Sequence, residues 1–169
     1  MDTSQILAAL ESDPVTRKKF CGVFSSDHLP KVVDRFPCGF IANTDPADKP
    51  GLHWVCFYFQ SKLKGEFFDS YGRPPDYYQE IFKEYLINHS DNWTFNSKQL
   101  QSVSSDVCGQ YCVFYLSHRA RGHSMNTIVN MFDSNRNVND KKVFRFVRRH
   151  FYMSPKTYGT AEQISRKRI

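Results

Sequence analysis

The chain has 169 residues, a formal charge of +6, 40% apolar content, 15 Phe and 9 Tyr, which is the composition of a packed globular protein and excludes a disordered or fibrous one. At this length one domain is expected, burying roughly two-thirds of the surface that its unfolded chain exposes. No apolar run approaches the roughly 20 residues that span a bilayer, and Met1–Leu10 lacks the basic start and long apolar centre of a signal peptide; an intracellular, reducing, non-membrane setting is expected.

In chain order, residues 3–11 predict a short helix, with Thr3 or Ser4 as cap and Ile6, Leu7 and Leu10 on one side. Pro14 after Asp13 starts a further helical turn. The segment from Cys21 to Pro37 carries turn residues throughout, and Cys38–Asn43 reads as a strand. A turn-rich loop, Asn43–Pro50, leads to His53–Phe59, nearly all apolar or aromatic, as in a central strand covered on both faces. A short polar hairpin joins this strand to the next, Gly65–Asp69.

The run 76–87 places Tyr78, Ile81, Phe82 and Tyr85 at helical spacing, which predicts a helix on one sheet face. Trp93–Phe95 and Lys98–Gln101 read as one interrupted strand. A loop then enters an apolar helix over Cys108–Arg121, with Gly122 as its stop. Ser124 caps a helix to about Phe132, and Asn137 or Asn139 caps another to about Phe151. Central strands between terminal helices, without βαβ alternation, predict an α+β domain; residues 153–169 have little to bury and are expected to form a weakly ordered basic tail.

The five cysteines, Cys21, Cys38, Cys56, Cys108 and Cys112, are odd in number and none has histidines at zinc-ligand spacing, so free thiols and no metal are expected. Cys108 differs from the others in its position. The first turn of a helix carries unpaired N–H groups and the positive end of the macrodipole, both of which favour a thiolate. Gly109 beside it lets a substrate backbone approach. His53 begins one strand and Asp69 ends the following one, so an antiparallel hairpin sets them side by side. Gln101, seven residues before Cys108, has an amide that can reach the same carbonyl oxygen as the Cys108 N–H.

Each of these residues alone has a plainer role: a packing histidine, a turn aspartate, a buried thiol. Together they supply nucleophile, base, orienting carboxylate and oxyanion donor. Cys112, one helical turn from Cys108, is expected to be a packing residue, as are Cys21, Cys38 and Cys56. The positive charge gathers in Lys141, Lys142, Arg145, Arg148 and Arg149 and in the final Ser165–Ile169. That pattern fits a solvated helix face with a frayed tail, or a surface for a polyanion such as DNA.

Gly51-Leu-His53-Trp54, Phe67-Phe-Asp69-Ser-Tyr-Gly72, and Gln101-Ser-Val followed by Cys108-Gly109 and Cys112 resemble the adenain-like cysteine proteases. This is the adenovirus endopeptidase family with its adintovirus and Maverick/Polinton relatives, and more distantly the SUMO-specific proteases. The likeness runs from about residue 20 to residue 121. It implies a mixed central sheet flanked by helices, Cys108 as nucleophile, His53 as base and acid, Asp69 as orienting carboxylate, and Gln101 with the Cys108 amide as oxyanion hole. Trp54 would shield the pair from water, and Asn43-Thr44 matches a family segment before the histidine strand.

The resemblance further implies viral precursor proteins as substrates, cleavage after glycine, viral DNA as a cofactor, a monomer, and a place in the virion or host nucleus. In adenain a viral peptide becomes disulfide-linked to a cysteine before the glutamine. Here no cysteine lies between Cys56 and Cys108, so an activating peptide would act non-covalently. Two other functions fit the residues: an isopeptidase for SUMO or ubiquitin-like proteins, and a non-catalytic nucleic-acid-binding virion protein.

Overall fold

A computed structural model describes residues 1–151; the tail expected at 153–169 lies outside the described residues. In chain order the elements are α1 (Thr3–Ser12), α2 (Pro14–Arg17), β1 (Phe20–Phe24), β2 (Cys38–Asn43), β3 (Trp54–Ser61), β4 (Lys64–Phe68), a 3-10 turn at Pro75–Tyr77, α3 (Glu80–His89), β5 (Asn92–Phe95), α4 (Cys108–Ala120), α5 (Met125–Val129) and α6 (Arg136–His150). The strands form one five-stranded sheet in the order β1-β2-β3-β4-β5. The β2–β3 and β3–β4 pairs are antiparallel, and both edge pairs are parallel. The sheet is therefore mixed and the class α+β, as expected.

Several elements differ from the sequence reading, each for a local reason. The segment after Cys21 is not all turn: Phe20–Phe24 forms an edge strand. Its register shifts between Phe20 and Val23, where Gly22 takes φ 131°, and this break hides the alternation by which a strand is recognised. Residues 98–101 form no strand, because their groups bond to side chains and to the turn after β4 instead. The helix expected from 76 begins only at Glu80, since Pro75 seeds a 3-10 turn first. Ile81, expected on its inner face, is 48% exposed, whereas Phe82, Tyr85 and Leu86 are buried. One βαβ unit does exist, β4–α3–β5, with its strands parallel.

Capping explains the remaining shifts. Asp2, not Thr3 or Ser4, caps α1 through a capping box with Gln5. Asn135 caps α6 ahead of the two asparagines expected, and α5 ends at Val129.

The alternation of β2, β3 and β4 sorts their side chains onto two cores. Ile41, Cys56, Tyr58 and Phe68 face a cluster with α1, α4, α5 and α6. Phe40, Val55, Phe57, Phe59 and Phe67 face a second cluster closed by Phe82, Tyr85 and Leu86 of α3. Both faces of the sheet are thus covered, which accounts for the continuous apolar character of 53–59. Across the first core, Arg119 of α4 pairs with Glu66 of β4 at 2.8 Å and lies over the Tyr58 ring, and Tyr115 donates its hydroxyl to the same carboxylate at 2.5 Å. This polar link ties α4 to the sheet and so positions the N-terminus of that helix.

Candidate active site

The hairpin of β3 and β4 sets Cys56 opposite Phe68, so the residues just outside that pairing, His53 and Asp69, come together at one end of the sheet. His53 Nε2 lies 2.6 Å from Asp69 Oδ1, with His53 6% exposed and Asp69 fully buried. The carboxylate is held from four sides. Besides His53, it accepts the N–H groups of Tyr71 (3.1 Å) and Arg73 (2.8 Å) and the hydroxyl of Tyr78 (3.1 Å). Gly72 makes this turn possible: its φ is 70°, and a Cβ there would come within 2.7 Å of the Lys98 backbone. Asn96 closes the other side, accepting the Asp69 N–H at 2.9 Å and donating to its carbonyl at 2.7 Å.

The imidazole is clamped as well as hydrogen-bonded. Tyr71 and Tyr78 stack on His53 with centroids at 4.9 Å and 5.3 Å, each at 27°. With Nε2 turned to Asp69, Nδ1 is left for the thiol of Cys108, which lies near enough to favour the charged ring. Burial alone would push the histidine down, but the bond and charge of Asp69, followed by those of Cys108, raise it to about 9. Burial likewise pushes the Cys108 thiol up. The hydrogen bond and charge of His53 reverse this, aided by the Trp54 backbone, and the thiol ends below its ordinary value. Both shifts favour a thiolate beside an imidazolium.

Cys108 is the first residue of α4, as expected. Side chains cap α1, α2, α5 and α6, whereas Val107 offers none to α4, so its first-turn N–H groups keep no side-chain acceptor. These are the donors an oxyanion needs.

Gln101 is fully buried, in a coil rather than at a strand end. Its Oε1 accepts the Ser70 hydroxyl at 2.6 Å, and its Nε2 donates to the Ser105 carbonyl at 2.8 Å. These two bonds fix which way the amide points and leave one of its two N–H groups unassigned.

Trp54 opens β3, and its indole donates to the Met1 carbonyl at 3.0 Å. A Cβ on Gly109 would meet Met1 at 3.1 Å and Trp54 at 3.4 Å, so the Cβ side of that glycine is covered by this chain. Thr44 donates its N–H to the His53 carbonyl at 2.9 Å, which makes the Asn43-Thr44 segment part of the support of the histidine. Cys112 and Cys56 are buried, and Cys112 donates to the Trp54 carbonyl at 3.3 Å. Lys141, Lys142, Arg145, Arg148 and Arg149 are all exposed on α6. Lys142 is drawn inward over the Phe132 ring at 5.4 Å.

Tyr71, Tyr78, Ser70 and Asn96 belong to the site and escaped the sequence reading. Only the turn Asp69-Ser-Tyr-Gly72 hinted at two of them. A hollow of about 440 Å³ opens beside the site between Val23, Phe24, Asn43, Pro46, Gly51 and Trp54. Among the described residues no group of three or more His, Cys, Asp or Glu can hold a metal ion, and no helix is long and apolar enough to cross a membrane.

No family model matches the chain. The protease of bovine adenovirus 4 is 31% identical over 100 residues, which are 51% of this chain and 50% of that protein, so the chain spans about half the length of this relative. A crystal structure of the ASFV protease superposes with a TM-score of 0.57 at 19% identity, covering 91% of this chain and 68% of that one. The central domain of an uncharacterized Legionella pneumophila protein gives a TM-score of 0.51 at 13% identity, covering 88% and 97%. Over those 100 residues the chain is thus similar in sequence to an adenovirus protease, and it carries a fold shared with a viral protease.

Proposed function

We propose that the chain is a cysteine-type endopeptidase, and that it cleaves viral precursor proteins through a thioester on Cys108. One observation carries this reading: at the uncapped N-terminus of α4 stands a thiol whose acidity is raised by a neighbouring histidine, which a buried aspartate holds at 2.6 Å. The Cys108 thiolate adds to the scissile carbonyl, and the oxyanion is taken by α4 N–H groups with the Gln101 amide. His53 gives its proton to the leaving amine. It then draws a proton from the water that hydrolyses the thioester, while Asp69 keeps the ring in one tautomer and orientation.

The viral substrates follow from the adenovirus relative. Cleavage after glycine, and a place in the virion or host nucleus, follow by analogy with the family. The exposed cations of α6 are assigned to DNA as a sequence-independent cofactor surface, and an activating peptide, if used, binds without a disulfide. The protein is assigned as a monomer.

The test offers the protein peptide vinyl sulfones ending in glycine and, in parallel, the same warhead on ubiquitin and on a SUMO protein, with mass mapping of the adduct. The expected result is addition of the peptide probe to Cys108. Addition of only the ubiquitin or SUMO probe would establish the isopeptidase reading, and no adduct at Cys108 with any probe would overturn both.

A further inference from the structure

The Leu100–Ser102 segment, which carries Gln101, belongs to no helix or strand, yet it is held on both sides of the glutamine by two buried side chains of α6. Asn139, 1% exposed, donates from Nδ2 to the Leu100 carbonyl at 3.1 Å and to the Asp133 carbonyl at 2.9 Å, and its Oδ1 accepts the Asp133 N–H at 2.8 Å. Asp140 accepts the Ser102 N–H, 3.4 Å and 3.3 Å from its two oxygens. The hydroxyl of Tyr111, one turn into α4, lies 2.9 Å from Asp140 Oδ1 and 3.0 Å from the Leu100 carbonyl.

A hydroxyl has one proton, and the charged acceptor is the stronger, so the Tyr111 proton goes to Asp140 and Asn139 serves the Leu100 carbonyl. Burial, followed by the charge of Asp140, pushes the Tyr111 hydroxyl well up, so it remains a donor. Gln101 itself is fixed from the opposite side, its N–H on the Ser70 carbonyl at 3.0 Å and its Oε1 on the Ser70 hydroxyl.

We infer that Asn139 and Asp140 are positioning residues for the oxyanion hole: they lock the backbone on both sides of Gln101 to α6 and, through Tyr111, to the helix that bears Cys108. This rests on the cysteine-peptidase reading above. None of the three side chains touches the reacting atoms. Their effect is geometric: a donor displaced by about 1 Å loses on the order of 100-fold in rate. It falls on the step that develops an oxyanion and not on the ion pair of Cys108 with His53.

That distinction gives the test. Peptide hydrolysis passes through a tetrahedral oxyanion, whereas alkylation of Cys108 by iodoacetamide displaces iodide and forms none. In Asp140→Ala, kcat is expected to fall about 100-fold with KM within about twofold, while the alkylation rate and its pH profile stay those of the wild type. Asp140→Asn, which keeps one acceptor for Tyr111 and guards against misfolding of the alanine variant, is expected to recover much of that loss. Binding of a peptide aldehyde, which forms a tetrahedral adduct, is expected to weaken in step with kcat. Unchanged kcat in the folded variants would overturn the inference, as would loss of alkylation in parallel with hydrolysis, because a general loosening of the site does that. Failure of the underlying peptidase reading shows instead in the wild-type protein, as absence of turnover.

Discussion

Replacing Cys108 by alanine is expected to reduce peptide hydrolysis by about 10⁴-fold or more, to the level that binding and polarisation of the carbonyl supply without a nucleophile. The expectation is specific because the other candidate thiol nearby cannot substitute. Cys112 lies one turn further into α4, is fully buried, and donates to the Trp54 carbonyl; burial raises its thiol well above the ordinary value. The fold should tolerate the change, since only one sulfur atom is removed from a residue already at the rim of the core, and a shift in stability of about 1 kcal/mol is the scale anticipated. Steady-state assay of the purified variant, beside its denaturation midpoint, checks both statements. Removing the thiolate also takes away one of the two partners that raise His53, so the histidine should titrate below about 9 in this variant, as NMR would show.

Asp69→Asn carries the second largest effect, expected at about 10²- to 10⁴-fold in kcat. The carboxylate accepts four donors, from His53, Tyr71, Arg73 and Tyr78. An amide offers one oxygen, and its NH₂ group must then face at least one of these donors. If the nitrogen faces His53, the ring must present a lone pair at Nε2, which places the proton on Nδ1 and turns the wrong tautomer toward the thiol. If the nitrogen takes the other oxygen's place, the backbone N–H of Arg73 loses its acceptor and the Tyr78 hydroxyl must turn from donor to acceptor, at a cost of about 1–3 kcal/mol in stability. The assay therefore reads kcat and unfolding together. Activity within about tenfold of wild type would show that Asp69 neither orients nor charges the histidine.

Much of this site follows from local rules. His53 and Asp69 flank a short hairpin, and antiparallel pairing alone brings such ends together. Cys108 follows a polar loop and starts an apolar run, which is enough to set it on a helix N-terminus. The residues that support the set were hidden because their partners are distant in sequence. Tyr78 was read as part of a helix face, yet its hydroxyl serves Asp69; Asn139 and Asp140 were expected only as a cap and the turn after it, yet they reach back nearly 40 residues to the Gln101 segment. The edge strand β1 was missed because a bulge at Gly22 breaks its alternation. No periodicity in the sequence points to Met1 as the residue that covers the Cβ side of Gly109.

The proposed chemistry needs Cys108 as a thiolate beside a charged His53, and the rate of iodoacetamide alkylation of Cys108 across pH reads that pairing. The signs are fixed by the two groups. The Cys108 thiol is lowered, so the thiolate is present above its folded pKa and is lost as pH falls through it. His53 is raised to about 9, so its charge, and the stability that the pair contributes, persists from below its ordinary value of about 6.5 and is lost as pH rises through 9. Rapid alkylation is expected to begin below the ordinary thiol range and to change character again near pH 9, and in a His53→Ala variant Cys108 is expected to react only in the ordinary range near 8.5 or above it. A Cys108 that titrates as an ordinary or raised thiol in the wild-type protein, with a profile that His53→Ala leaves unchanged, would contradict the pairing.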